Sequence, residues 1–148
     1  MEKVILPSEE ATIAFGEKLG SFLQAGDLIT MEGDLGAGKT TMTKGIGKAL
    51  GVKRVINSPT FNILKGYTGN IPLYHLDVYR LEGVSQELGV EEYFDGDGVC
   101  VVEWAQFIED DLPKERLEIV ITHQENGRIV TLNPIGERYE EIVKKVLS

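Results

Sequence analysis

Residues Gly33-Asp34-Leu35-Gly36-Ala37-Gly38-Lys39-Thr40 follow the spacing G-x-x-x-x-G-K-[ST]. This pattern constrains the chain more than any other feature. The glycines let the backbone curl until successive N–H groups point into one concavity, where they bind phosphate oxygens. Such a loop needs a strand before it and a helix after it, because the helix N-terminus adds unpaired N–H donors and about half a positive charge. Both neighbours are present. Asp27–Glu32 reads as a short strand, Thr40–Leu50 as a helix, and Gly51 as its stop. The segment Asp34, Leu35, Gly36, Ala37, Gly38, Lys39, Thr40 and Thr41 is therefore expected to cradle a nucleoside triphosphate. Lys39 would reach the β- and γ-phosphates and the Thr40 hydroxyl would bind Mg²⁺.

Bulk properties narrow the class. A chain of 148 residues with 42% hydrophobic and 26% charged residues can bury a core without disulfides, and one domain over 1–148 is expected. Its opening residues lack the basic start and apolar run of a signal peptide, and no stretch approaches a membrane span. The cytoplasm is the expected location, with no membrane partner. The single cysteine, Cys100, lies in an apolar run and reads as a buried, inert thiol. Net charge is −9, and the stretch 85–118, with 11 acids and 2 bases, accounts for it. Lys39, Lys44, Lys48, Lys53 and Arg54 form an acid-free basic stretch. These stretches are either solvated surface or a dipolar face that docks a protein. An acidic chain is poorly suited to grip DNA or RNA alone, so any RNA is expected to be held by another protein.

Periodicity gives the rest of the layout. Glu2–Leu6 reads as a strand. Ser8 is a good N-cap for a helix carrying Ala11, Phe15, Leu19, Phe22 and Leu23 on one face and ending at Gly26. Phe61–Tyr67 and Pro72–Tyr79 predict a hairpin, and Ser85–Phe94 a short helix. Val99–Trp104 predicts a central buried strand. Leu117–Thr122 and Arg128–Asn133 flank an Asn-Gly turn, and Glu137–Leu147 predicts a final helix. The expected fold is an α/β, three-layer sandwich with a mainly parallel central sheet and antiparallel hairpin additions.

A triphosphate site with Mg²⁺ also needs an acid. Glu103 follows four apolar residues in Val99-Cys100-Val101-Val102-Glu103, where a strand end would set its carboxylate beside the loop. Asp77, in Tyr74-His75-Leu76-Asp77-Val78-Tyr79-Arg80, is a second candidate, for holding a metal-bound water or orienting the attacking one. Equally, His75, Asp77 and Tyr79 could simply share one face of an alternating strand. His75 reads as structural, and Arg80 as a phosphate stabiliser or an ion-pair partner. Thr60, in Ser58-Pro59-Thr60-Phe61, is either a γ-phosphate sensor or an ordinary loop residue. Trp104 is either core or an exposed contact.

Taken together, Gly33–Thr41, Ser58-Pro59-Thr60-Phe61, His75-Leu76-Asp77-Val78-Tyr79-Arg80-Leu81 and Val102-Glu103-Trp104 resemble the TsaE (YjeE) family, bacterial P-loop ATPases of tRNA threonylcarbamoyladenosine synthesis. The resemblance spans nearly the whole chain and is loose beyond Trp104. It implies a compact P-loop NTPase that binds the TsaD–TsaB complex and uses an ATP-to-ADP cycle to support repeated turnover there. It implies that Lys39 and Thr40 hold phosphate and Mg²⁺, with Glu103 as the second metal-side residue. Asp77 and Thr60 would be catalytic or switch residues, Trp104 a functional neighbour of Glu103, and Glu9 and Thr12 residues near the nucleotide.

Three other functions use the same loop. A small-molecule kinase usually carries several arginines in a lid, whereas Arg54, Arg80, Arg116, Arg128 and Arg138 are scattered singly. A GTPase switch would carry an Asn-Lys-x-Asp segment, which is missing, so ATP is the expected nucleotide. A binding module without useful hydrolysis would not need Glu103, Asp77 and Thr60. Lacking an evident arginine finger or positioned glutamine, the chain is expected to hydrolyse slowly until a partner completes its site.

Overall fold

The apolar run Val99–Val102 forms an interior strand of the sheet. In the computed structural model, which describes residues 1–33, 38–57, 59, 64–78, 90–94, 96–125 and 127–148, seven strands make one mixed sheet. They are β1 (Glu2–Leu6), β2 (Leu28–Glu32), β3 (Leu64–Tyr67), β4 (Leu73–Asp77), β5 (Val99–Glu103), β6 (Arg116–Gln124) and β7 (Gly127–Ile135). Their order is β1-β7-β6-β2-β5-β4-β3. The pairs β4–β5, β5–β2 and β2–β6 are parallel, and β3–β4, β6–β7 and β1–β7 are antiparallel. A parallel centre with antiparallel additions is what the motif and the turn signals predict. Every residue of β5 is buried, because strands flank it on both sides and side chains cover both faces.

Among the described residues three α-helices, α1 (Glu9–Gly20), α2 (Lys39–Ala49) and α3 (Glu137–Leu147), share the larger core with Ile29, Met31, Val99, Val101, Leu117 and Ile119. The opposite face carries Leu28, Leu76, Cys100 and Val102. Among the described residues, 3-10 turns cover it, over Val90–Tyr93 and Ala105–Asp111, with Phe94, Ala105, Ile108 and Leu112 packed inward. The third layer is thus thinner than an α-helical one. Of the helix expected over Ser85–Phe94, the described part is the 3-10 turn, and 85–89 lie outside the described residues. Residues 61–63 and Tyr79 of the expected hairpin also lie outside them. No helix among the described residues is long and apolar enough to cross a membrane.

Helix α1 stops earlier than its apolar spacing suggests. It ends at Gly20 with Ser21 as its cap, and Gly26 (φ +92°) instead turns the chain into β2. The buried face of α1 is Thr12, Gly16, Leu19 and Gly20, while Ala11 and Phe15 are only partly covered. Close helix packing explains this. A Cβ at Gly16 would strike the Met42 carbonyl, and one at Gly45 would strike the Ile13 carbonyl. The two helices run side by side at backbone contact, so small residues, not large ones, define the shared face. Helix α2 closes in a Schellman motif, with Gly51 N–H bonded to Lys48 O and Val52 N–H to Gly47 O.

Helix α3 anchors the start of β2. Arg138 donates to both carboxylate oxygens of buried Asp27, at 2.8 and 2.6 Å. The Leu28 amide donates to Tyr139 Oη at 2.9 Å in a buried setting. Replacing Tyr139 by Phe keeps the ring but orphans that amide. We expect Tyr139→Phe to lose about 1–3 kcal/mol in chemical denaturation. A loss within about 0.5 kcal/mol, the range of ordinary surface changes, would contradict this role.

Candidate functional site

The phosphate loop ends in a left-handed glycine. Gly38 has φ 113° and, having no side chain, caps α2 without a side-chain hydrogen bond to its first amides. Thr40 and Thr41 lie half-buried in the first turn. Thr43 Oγ1 donates back to Lys39 O at 2.9 Å and serves the helix itself. Asp34, Leu35, Gly36, Ala37, Thr60 and Arg80 lie outside the described residues.

Lys39 turns inward from the start of α2. Its Nζ lies 3.5 Å from Glu103 Oε1 and 5.1 Å from the centre of the Trp104 ring. The ammonium is thus held between a carboxylate and an aromatic face. Glu103 closes β5, is 4% exposed, and accepts from His75 Nε2 through its other oxygen at 2.6 Å. Burial alone would raise the Glu103 carboxyl pKa. The hydrogen bond and charge from His75, followed by those from Lys39, outweigh burial and hold it below its ordinary range. Glu103 is therefore an ionised carboxylate in a nearly dry position.

Asp77 closes β4 and stands in register with Glu103, and the Val78 amide extends the ladder to Glu103 O. Two carboxylates thus end adjacent parallel strands beside the N-terminus of α2. Trp104 follows at φ 63°, a left-handed conformation that is unusual for a bulky residue. Beside them opens a cleft of about 280 Å³ lined by Glu32, Gly33, Lys39, Trp104, Gln106 and Thr122.

The expected α1 residues reach the same corner. Leu6, two residues before the N-cap Ser8, pairs with Arg128 of β7. Arg128 in turn lies against the loop, since a Cβ at Gly38 would sit 2.7 Å from its Nε. The matched steps Gly16–Met42 and Gly20–Ile46 make α1 and α2 run in the same direction, which brings Glu9 and Thr12 to the level of Gly38. Glu9 is exposed, whereas Thr12 is buried and its hydroxyl donates to Ser8 O. Arg128 at the loop has no signal in the sequence. Its place depends on β7 pairing with β1, a contact between chain ends. Arg116 and Arg138, by contrast, are engaged away from the loop. Arg116 is held by Glu109, Glu118 and Pro113 O, and Arg138 by Asp27. Cys100 donates to Tyr93 O, and burial, helped by Asp97, pushes its thiol up to about 12, as an inert core residue requires.

The Glu103 shift sets a pH dependence. A depressed folded pKa contributes stability that is full above the unfolded value and is lost as pH falls through the folded one. In metal-free buffer, Glu103→Gln should be less stable than the parent chain at neutral pH, with the gap closing as acid protonates Glu103. Thermal unfolding from about pH 7 to about pH 3 reads this, and a gap constant across the range would contradict it.

The chain compares closely with known proteins. The family model described as "Threonylcarbamoyl adenosine biosynthesis protein TsaE" matches residues 6–130. A tRNA threonylcarbamoyladenosine biosynthesis protein TsaE of Bacillus subtilis is 51% identical over 139 residues, covering 93% of this chain and 88% of that one. A protein of the same description from Nostoc is 42% identical over 135 residues, covering 86% and 82%. A crystal structure of YdiB from Bacillus subtilis superposes with a TM-score of 0.87 at 44% identity, covering 99% of this chain and 93% of that one. With this sheet, this loop and these relatives, the chain belongs to the TsaE family of threonylcarbamoyl adenosine biosynthesis proteins.

Proposed function

We propose that this chain is a Mg²⁺-dependent ATPase, slow alone, that supports threonylcarbamoylation of the tRNA adenosine beside the anticodon by binding the TsaD–TsaB complex in the cytoplasm. The observation that carries the ATPase reading is the Lys39–Glu103 pair. It joins the first residue of the loop helix to the last residue of the buried strand β5. Asp77 stands beside it in register.

The donor set suits Mg²⁺, which favours one or two carboxylates and takes its other ligands from phosphates and water. Among the described residues there is no group of three His, Cys, Asp or Glu that would hold a metal unaided. Thr40 and Glu103 are the residues that would hold it. When bound, Mg²⁺ neutralises charge on the phosphate oxygens. Lys39 supplies a cation to the same oxygens, and the amides at the start of α2 supply donors. We assign Asp77, in register with Glu103, to water orientation, and Thr60 to the γ-phosphate side by family resemblance. Arg128 adds a positive group at Gly38.

Docking onto a protein assembly is consistent with the surface. Lys44, Lys48, Lys53 and Arg54 are exposed together, and exposed Val55 lies among them. The kinase alternative loses ground because Arg116 and Arg138 are occupied in structural pairs.

The decisive experiment is Mg²⁺-dependent ATP hydrolysis by the purified chain with and without purified TsaD–TsaB. Stimulation by the complex is expected. Fast hydrolysis that ignores the complex would favour a stand-alone enzyme. Lys39→Ala should lower stimulated turnover roughly 100-fold or more, as removal of a charge-stabilising donor does. Glu103→Ala should impair hydrolysis more than nucleotide binding, and equal loss of both would point to a folding role in β5.

A further inference from the structure

We propose that His75 is a positioning residue that fixes the Glu103 carboxylate, presenting Oε1 to the loop and withholding Oε2. The inference deepens the nucleotide reading above and rests on it. His75 is completely buried in β4, and its Nε2 lies 2.6 Å from Glu103 Oε2. The strand register explains the reach. His75 stands opposite Val101 and Asp77 opposite Glu103, so His75 and Glu103 are diagonal neighbours on one face. The other oxygen, Oε1, lies toward Lys39.

The ring's second nitrogen identifies the role. His75 Nδ1 is buried and has no hydrogen-bond partner among the described residues. A carboxylate only accepts, so Nε2 is the nitrogen that carries a proton toward Glu103, while Nδ1 meets no partner. An unsatisfied buried polar atom is unfavourable. The surrounding face is apolar, with Leu73 on the same strand and Ile29, Met31, Val99 and Val101 on its neighbours. A leucine would satisfy that core without an orphan atom. What histidine adds is one donor aimed at one oxygen of Glu103. Carboxylates that hold metals are oriented in this way by outer hydrogen bonds, and loss of such a partner weakens metal binding by about 10–100-fold.

The test uses the full chain with His75→Leu, which keeps the volume, and His75→Gln, whose amide nitrogen falls where Nε2 does. Mn²⁺ binding in the presence of ADP is read by electron paramagnetic resonance, and ADP affinity in EDTA by calorimetry. His75→Leu should weaken Mn²⁺ by at least about 10-fold while metal-free ADP affinity stays unchanged, and His75→Gln should restore Mn²⁺ binding. Equal Mn²⁺ affinity in the parent and His75→Leu would overturn the proposal, as would a folded His75→Gln that binds Mn²⁺ no better than His75→Leu. If His75→Leu does not fold, His75→Gln decides by keeping or losing the parent affinity. Nitrogen-15 NMR of the parent chain, which has only two histidines, should show His75 with its proton on Nε2, and a proton on Nδ1 alone would overturn it. A parent chain that binds neither ADP nor Mn²⁺–ADP would instead overturn the nucleotide reading itself.

Discussion

Glu103 is the point on which the site depends. It is a buried charge, and a buried charge persists only where several partners surround it. Here the partners come from two elements, His75 on β4 and Lys39 on α2, with the aromatic Trp104 against that lysine. His75 and Lys39 are tied to different parts of the fold. The carboxylate therefore links strand order to chemistry. Were β5 not between β4 and β2, Glu103 would not stand between His75 and Lys39.

The sheet topology supplies that position. In parallel strands, carboxyl ends line up along one edge, so the ends of β2, β4 and β5 converge where the loop begins. Glu103 pairs in register with Met31 on one side and Asp77 on the other. The antiparallel strands do different work. They extend the sheet outward, and β7 returns Arg128 to the loop from the far side of the chain. Helix α3 then anchors the start of β2 through Asp27 and Leu28, so the strand leading into the loop is held at its base.

Much of this was legible because it is local. The loop spacing, the β5 run ending in Glu103, the Gly51 stop and the final helix over Glu137–Leu147 are each set by neighbours in sequence. What stayed hidden depends on contacts between distant segments. Apolar spacing placed Ala11, Phe15, Leu19, Phe22 and Leu23 against the core, and all five pack on it, but it gave no sign that Gly16 and Gly20 bring α1 to backbone contact with α2. The helix also stopped at Gly20 and not Gly26, because the end of that contact, not the end of the apolar pattern, determines its length. Arg128 was one of five scattered arginines until β1 paired with β7. His75 read as a core histidine, and by burial it is one. Only the diagonal register with Glu103 distinguishes it from packing.

Trp104 shows how the two faces of the sheet meet at the site. Its left-handed backbone is unfavourable for an L-residue with a large side chain, and such strain persists where surrounding structure enforces it. Two demands meet there. Glu103 must end β5 toward the helical face, and Ala105 must begin the turns that bring Ile108 and Leu112 over the opposite core. A sharp reversal at a single residue meets both. It also leaves the indole packed on that second core with the Lys39 ammonium over its ring. Lys39 is thus held from one face by Glu103 and from the other by Trp104. A phosphate that draws the ammonium away would loosen contacts on both sides of the sheet at once. The helical face and the thin 3-10 face of the sheet thus meet at one side chain, Lys39.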